Sequence, residues 1–221
     1  MATGFQMLTR LKLLYGNGRL AKAMLCGFSA GSICIASGLV VVVGFASVLS
    51  TSKAQTGSCH PPKYTESGDL VLPDTFREWV FVGSSLTPNA LNGGHALFQE
   101  YHNVYMEPCS YKSFEQTHMF PEKMILFKEL QLTLPGQNAS GSRTEPSGSG
   151  YFPGPLNGAD VMVKDSKRYV ESGGWGYYSF GHREPKAPTA QVKTKEECAY
   201  CHINSAKKDQ VWAQFYPLLD K

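Results

Sequence analysis

The chain has 221 residues, a formal net charge of +3 and 42% hydrophobic residues, which suits one medium-sized globular domain and an additional N-terminal piece. A pI near 8.5 without clustered Lys and Arg leaves no electrostatic footprint for nucleic acid, and no stretch has the basic and aromatic spacing of a single-strand platform. Nucleic-acid binding is therefore not expected.

Taken in chain order, Arg10, Lys12, Arg19 and Lys22 precede an uncharged run over residues 24–49. That run is long enough to cross a bilayer. Ser52-Lys-Ala54 then offers small residues at the spacing a signal peptidase reads. Residues 1–54 are expected to be an export signal or an uncleaved membrane anchor, 55–65 a linker, and 66–221 the folded domain. Both readings export the domain, to the periplasm of a bacterium, because the positive flank stays inside. Of six cysteines, Cys26 and Cys34 lie in the apolar run and Cys198 and Cys201 form a motif. Cys59 and Cys109 can pair in an oxidising compartment or stay as two thiols, and spacing alone decides neither.

Short apolar runs at Trp79-Val-Phe-Val82, Asn103-Val-Tyr-Met106, residues 124–134, Val161-Met-Val163 and residues 175–180 are separated by clusters of Gly, Pro and Asn. They predict antiparallel strands. Residues 135–150, rich in Gly and Ser, predict a mobile loop, and residues 165–170 a short helical turn. From Thr194 onward Lys, Glu and Ala dominate, and Val211, Trp212, Phe215 and Tyr216 recur at helical spacing, so the C-terminal quarter is expected to be helical.

Cys198-Ala-Tyr-Cys201-His202 is the strongest chemical signal. Two thiols two residues apart can add to the two vinyl groups of a haem while the adjacent histidine ligates the iron from the same side. A zinc half-site would need two more ligands at comparable spacing, and a thioredoxin-like pair would need a βαβ setting. One covalently bound haem c, ligated by His202, is the expected cofactor.

A second signal lies in residues 124–134. Read as a strand, it places Lys128 among Met124, Leu126, Leu130, Leu132 and Leu134 on one face. A lone ammonium there is costly, so Lys128 either snorkels to water from a strand edge or faces a cofactor pocket, where burial would favour the neutral, nucleophilic amine.

Several motifs together resemble the cytochrome P-460 family. They are Asp74-Thr-Phe-Arg-Glu-Trp-Val-Phe-Val-Gly83, Leu86-Thr-Pro-Asn89, Phe127-Lys-Glu-Leu130, Gly150-Tyr-Phe152, Val163-Lys-Asp-Ser166, Glu197-Cys-Ala-Tyr-Cys-His202 and Phe215-Tyr-Pro-Leu218. They occur in the family's order between residues 66 and 218. The resemblance implies an α+β fold, a mainly antiparallel β-sheet with flanking helices and haem c attached on a C-terminal helix, usually in a homodimer. It implies an open site on the iron where hydroxylamine is oxidised to nitrous oxide or nitrite by way of bound nitric oxide. Electrons would leave to an external acceptor such as a soluble cytochrome c. It also implies a lysine joined to a porphyrin meso carbon, for which Lys128 is the matching position. Where the family pattern leads one to expect an arginine, this chain places His102, taken here as a further catalytic candidate, and no position matches the family's distal acid. Phe98, Phe120, Tyr151 and Phe152 are candidate pocket walls or ordinary core. Two other readings remain: a nitric-oxide-binding module like cytochrome c-prime-beta, and an electron carrier whose sixth ligand is Met106, Met119, Met124, His95, His102, His118 or His182.

Overall fold

The computed structural model describes residues 59–221; the apolar run and the signal-or-anchor reading of residues 1–54 lie outside them. Among the described residues no helix is long and apolar enough to cross a membrane. The strands are β1 (Leu70–Val71), β2 (Val80–Leu86), β3 (Tyr101–Met106), β4 (Ile125–Thr133), β5 (Arg143–Glu145), β6 (Gly148–Gly150), β7 (Pro153–Lys164), β8 (Trp175–Ser179) and β9 (Thr189–Ala190), with helices α1 (Pro108–Thr117) and α2 (Tyr200–Ser205). The fold is mainly antiparallel β with flanking helices, as expected. β2, β3, β4, β7 and β8 form one five-stranded antiparallel sheet in that order, and the pairs β1–β9 and β5–β6 stand apart from it.

β4 lies at the centre of the sheet, and its sequence explains why. Ile125, Leu126, Phe127, Glu129 and Leu130 are all buried, so both faces are covered and the run is nearly continuous in hydrophobicity rather than alternating. One face carries Phe127, stacked on Phe76 at 3.8 Å between ring centroids, with Ile125, Val161, Val163 and Tyr178. The other carries Val104, Met106, Leu126, Trp175 and Tyr177, and against it pack Cys198, Ala199, Val211 and Tyr216 from the C-terminal segment.

Helix α1 is the principal element missed in the sequence. Glu107 caps it, accepting hydrogen bonds from the backbone N–H of Cys109 at 3.1 Å and of Ser110 at 2.8 Å, with Pro108 in the first turn where its missing donor costs nothing. Glu107 also accepts from the His60 N–H at 3.0 Å. Cys59 and Cys109 are joined in a disulfide, which settles the alternative left open by spacing.

Two expectations are corrected. Residues 135–150 contain the β5–β6 hairpin and are not a featureless loop. The C-terminal quarter is helical only in part: a wide π-type turn over Lys195–Ala199 leads into α2, and a short turn follows at Ala213–Phe215. Asp209 (φ 44) and Gln210 (φ 60) take left-handed backbone, which ends any helical run before Val211. Tertiary bonds hold them there, since Trp175 Nε1 donates to Asp209 at 3.1 Å and Tyr177 Oη donates to the Gln210 side chain at 2.7 Å.

Candidate haem-binding site

The Cys198-to-His202 motif begins in the π-type turn and ends in α2. Thr194 and Glu197 start this segment with a reciprocal capping box, a pattern readable as Thr-x-x-Glu in the sequence. Cys198 is half-buried against the sheet and Cys201 is exposed; neither is bridged. Burial pushes the Cys198 thiol up, and the charges of Asp160 and Glu197 push it the same way. It is therefore a thiol and not a standing thiolate at neutral pH.

His202 is oriented by the loop that interrupted the predicted helix. Its Nδ1 lies 2.8 Å from the Gln210 carbonyl oxygen. A carbonyl can only accept, so Nδ1 carries the proton and Nε2 presents its lone pair. The nearest donor to Nε2 is Trp212 Nε1, at a long 3.4 Å. Burial lowers the His202 pKa, and the Lys128 charge adds to that effect, with the Gln210 carbonyl and Asp160 opposing. The neutral form is the one a metal requires. Gln210 is in turn fixed by Tyr177 and by its own bond to the Ser172 carbonyl at 3.0 Å. An outer hydrogen bond of this kind is what sets a ligating histidine's tautomer and ring orientation. Nothing in the sequence marked Gln210.

Lys128 is not the lone ammonium that the strand pattern suggested. β4 and β7 place it directly opposite Asp160, and its Nζ lies 2.8 Å from Asp160 Oδ2 with both side chains about one-fifth exposed. The Phe98 ring lies under the same Nζ at 4.1 Å. Asp160 is held well below the usual carboxylate range: burial would raise it, but the Lys128 charge first, and the nearby His182 and Ser179 side chains, prevail. A visible signal for Asp160 existed, because it is the one acid in the apolar strand run from residue 158 to 163 and so needs a partner.

His102 lies one residue pair along the same face, opposite Leu130 on β4 and Ser85 on β2. Its Nδ1 is 3.4 Å from Ser85 Oγ, and its Nε2 is buried with no protein partner. Burial first, and the Lys128 charge second, bring its pKa down to about 4. A neutral imidazole with an unengaged buried nitrogen is a costly arrangement for protein alone.

The remaining ligand candidates divide by location. Met106 and Met124 are fully buried in the core and Met119 is 69% exposed. His118 ends α1 in left-handed backbone. His95 and His182 line one surface cleft. Of the proposed wall residues, Phe98 reaches Lys128, whereas Phe120 stacks on Phe114 inside the core and Tyr151 bonds the Ser140 carbonyl.

The donor set suits a c-type haem: two unbridged thiols at vinyl spacing, an oriented neutral imidazole, and an unsatisfied buried nitrogen on the same sheet face. Comparison with known proteins agrees with that chemistry. A family model described as Cytochrome P460 matches residues 73–213. No curated protein matches the chain.

Proposed function

Because the chain belongs to the cytochrome P460 family, and is thus a haem protein, we propose that it is an exported enzyme that oxidises hydroxylamine to nitrous oxide or nitrite. Cys198 and Cys201 would hold one haem through thioether bonds and His202 would ligate its iron through Nε2. The observation that carries this reading is the Lys128–Asp160 pair, which shares a sheet face with the haem motif and whose charges act on His202 itself. An iron porphyrin supplies the redox chemistry when bound.

The protein's own residues supply three things. Gln210 keeps His202 in one tautomer and aimed, and burial keeps it neutral. Phe98 covers Lys128 and limits water around it. Asp160 is ionised and can accept a proton released as hydroxylamine loses electrons, while His102 stays neutral and can accept a hydrogen bond at Nε2. Lys128 occupies the position that the family joins to the macrocycle. That bond would replace an N–H and the meso C–H by a C–N bond, a two-electron oxidation whose electrons would go to the external acceptor and whose protons would go to water, and it would take the ammonium charge away from Asp160. Electrons would pass to an external acceptor such as a soluble cytochrome c. The Cys59–Cys109 disulfide favours an oxidising compartment, which supports the periplasmic reading of the N-terminal residues as a signal or an anchor; a homodimer is part of the same proposal.

The intact Lys128–Asp160 ion pair also favours a second reading. A lysine that stays in that bridge would leave a nitric-oxide-binding protein and not an oxidase. Protein matured with haem in an exporting host separates the two. Intact mass should show one covalent haem, the ferrous spectrum should show a red-shifted band that Lys128→Ala abolishes, and hydroxylamine should be turned over with an added electron acceptor. Haem attachment without the shifted band and without turnover would select the gas-binding reading; colourless protein would refute both.

A further inference from the structure

Beyond the haem motif, the most elaborately built polar group lies where Asp160 approaches the surface. Gly158 has φ +118, and a Cβ there would fall 1.8 Å from the Gly181 carbonyl oxygen. Only glycine lets residues 181 and 182 cross so closely over β7. The crossing sets His182 Nε2 3.6 Å from Asp160 Oδ1, on the carboxylate oxygen that Lys128 does not hold. The His182 side chain is 42% exposed against 21% for Asp160, and it opens into a cleft of about 380 Å³ shared with His95, Gln99, Glu100 and Asn157. Glu100 is buried there and accepts from Asn157 Nδ2 at 2.7 Å. Phe98 forms the inner partition, its ring centroid 5.7 Å from that of His182 and 5.4 Å from that of His102.

We propose that His182 is the proton relay of Asp160, taking the proton that Asp160 accepts during turnover and passing it to water in the Glu100–Asn157 cleft. The proposal deepens the hydroxylamine reading and rests on it. In the transfer the Asp160 O–H bond breaks as an N–H bond forms at His182 Nε2, the Nδ1–H proton leaves to cleft water, and no electrons move. Every charged element around His182 bears on this. The Asp160 carboxylate beside it on β7 raises its proton affinity most, Glu100 ahead of β3 adds to this by charge, and burial and Lys128 on β4 oppose them. His102 on β3 is held neutral, and His95 lies on the cleft wall. If Lys128 is consumed in a bond to the macrocycle, its opposing charge disappears and His182 becomes the remaining partner of Asp160.

His182 touches Asp160 and not the substrate, so it is a positioning and relay residue, and its test needs readouts that a merely structural role would not move. Haem-loaded wild-type and His182→Ala proteins are compared for the pH profile of kcat, with and without added imidazole, and for the ferrous spectrum. The expected result is a fall in kcat of about a hundredfold, at the low end of proton-transfer effects, with an altered profile, partial recovery in imidazole and an unchanged spectrum. Independently of turnover, an NMR titration of the His182 ring should move toward the ordinary histidine value in Asp160→Asn. An unchanged profile, a loss that imidazole does not repair, or a His182 titration insensitive to Asp160→Asn overturns the relay. Haem-loaded wild-type protein that fails to oxidise hydroxylamine overturns the preceding reading instead, and the titration alone then decides whether the two groups share a proton.

Discussion

The face of the central sheet built around Phe127, Val161 and Tyr178 is closed by protein alone, whereas the opposite face, though it pairs Lys128 with Asp160, gathers unbridged thiols and two histidine nitrogens with little or no protein contact. On the first face, buried Glu129 is met by Arg77 at 2.5 Å and Lys186 at 4.0 Å, and the hydroxyls of Tyr64, Tyr169 and Tyr178 bond in a chain at 2.9 and 2.6 Å. Among the described residues only Trp79 Nε1 lacks a partner there. On the second face, His102 Nε2 has none, Cys198 and Cys201 are unbridged, and His202 Nε2 has one long contact. Buried polar groups are ordinarily satisfied because an orphaned one costs about 1 to 3 kcal/mol. Each face carries one such atom among the described residues; what marks the second is that its orphan, His102 Nε2, shares the sheet face with unbridged Cys198 and with Lys128.

The sharpest way to break this contrast is to remove the thiols. Cys198→Ser and Cys201→Ser combined with Lys128→Ala should abolish covalent haem completely, read as the unshifted intact mass of denatured protein. The fold should survive, because the first face is untouched. Covalent haem persisting in that variant would move the site elsewhere. The next test works from the other side. Phe127 is fully buried, so Phe127→Ala should cost about 4 kcal/mol in urea denaturation while the haem spectrum of the folded fraction stays as in the wild type. A spectral change as large as the stability change would mean that the two faces are not separable.

Much of the contrast could be read from the chain before any coordinates. The haem motif is local, so its five residues state their chemistry without help from the fold. The strands were legible because their apolar runs are bounded by Gly, Pro and Asn. What failed to show was whatever depends on two distant segments meeting. Asp160 answers Lys128 only once β4 and β7 pair, and Gln210 orients His202 only because Tyr177 and Ser172 hold it in left-handed backbone. The helical spacing of Val211, Trp212, Phe215 and Tyr216 misled for the same reason, since tertiary bonds at Asp209 and Gln210 overrule local propensity. Helix α1 was hidden by its weak apolar stripe; its start is set by Glu107, which is not one of the usual capping residue types.

The smallest effect expected is also the most diagnostic of the unsatisfied face. His102 titrates near 4 in the folded protein against an ordinary value of 6.5, because burial and then the Lys128 charge disfavour its cation. Between those values the unfolded chain binds a proton that the native one refuses, so native stability falls as pH drops from 6.5 toward 4 and levels off below. Allowing for incomplete burial, the loss is roughly 2 kcal/mol. Two neighbours titrate in other windows. His182 is raised by the Asp160 carboxylate beside it, so its contribution is complete below 6.5 and disappears only as pH rises through its folded value. Asp160 is lowered, so its contribution is lost only below the ordinary carboxylate range. Urea denaturation of haem-free wild type and His102→Asn across pH 4 to 6.5 isolates the difference, and a variant with the wild-type slope would show that His102 is satisfied after all. Haem loading should flatten the wild-type slope if the group that completes this face also engages His102 Nε2.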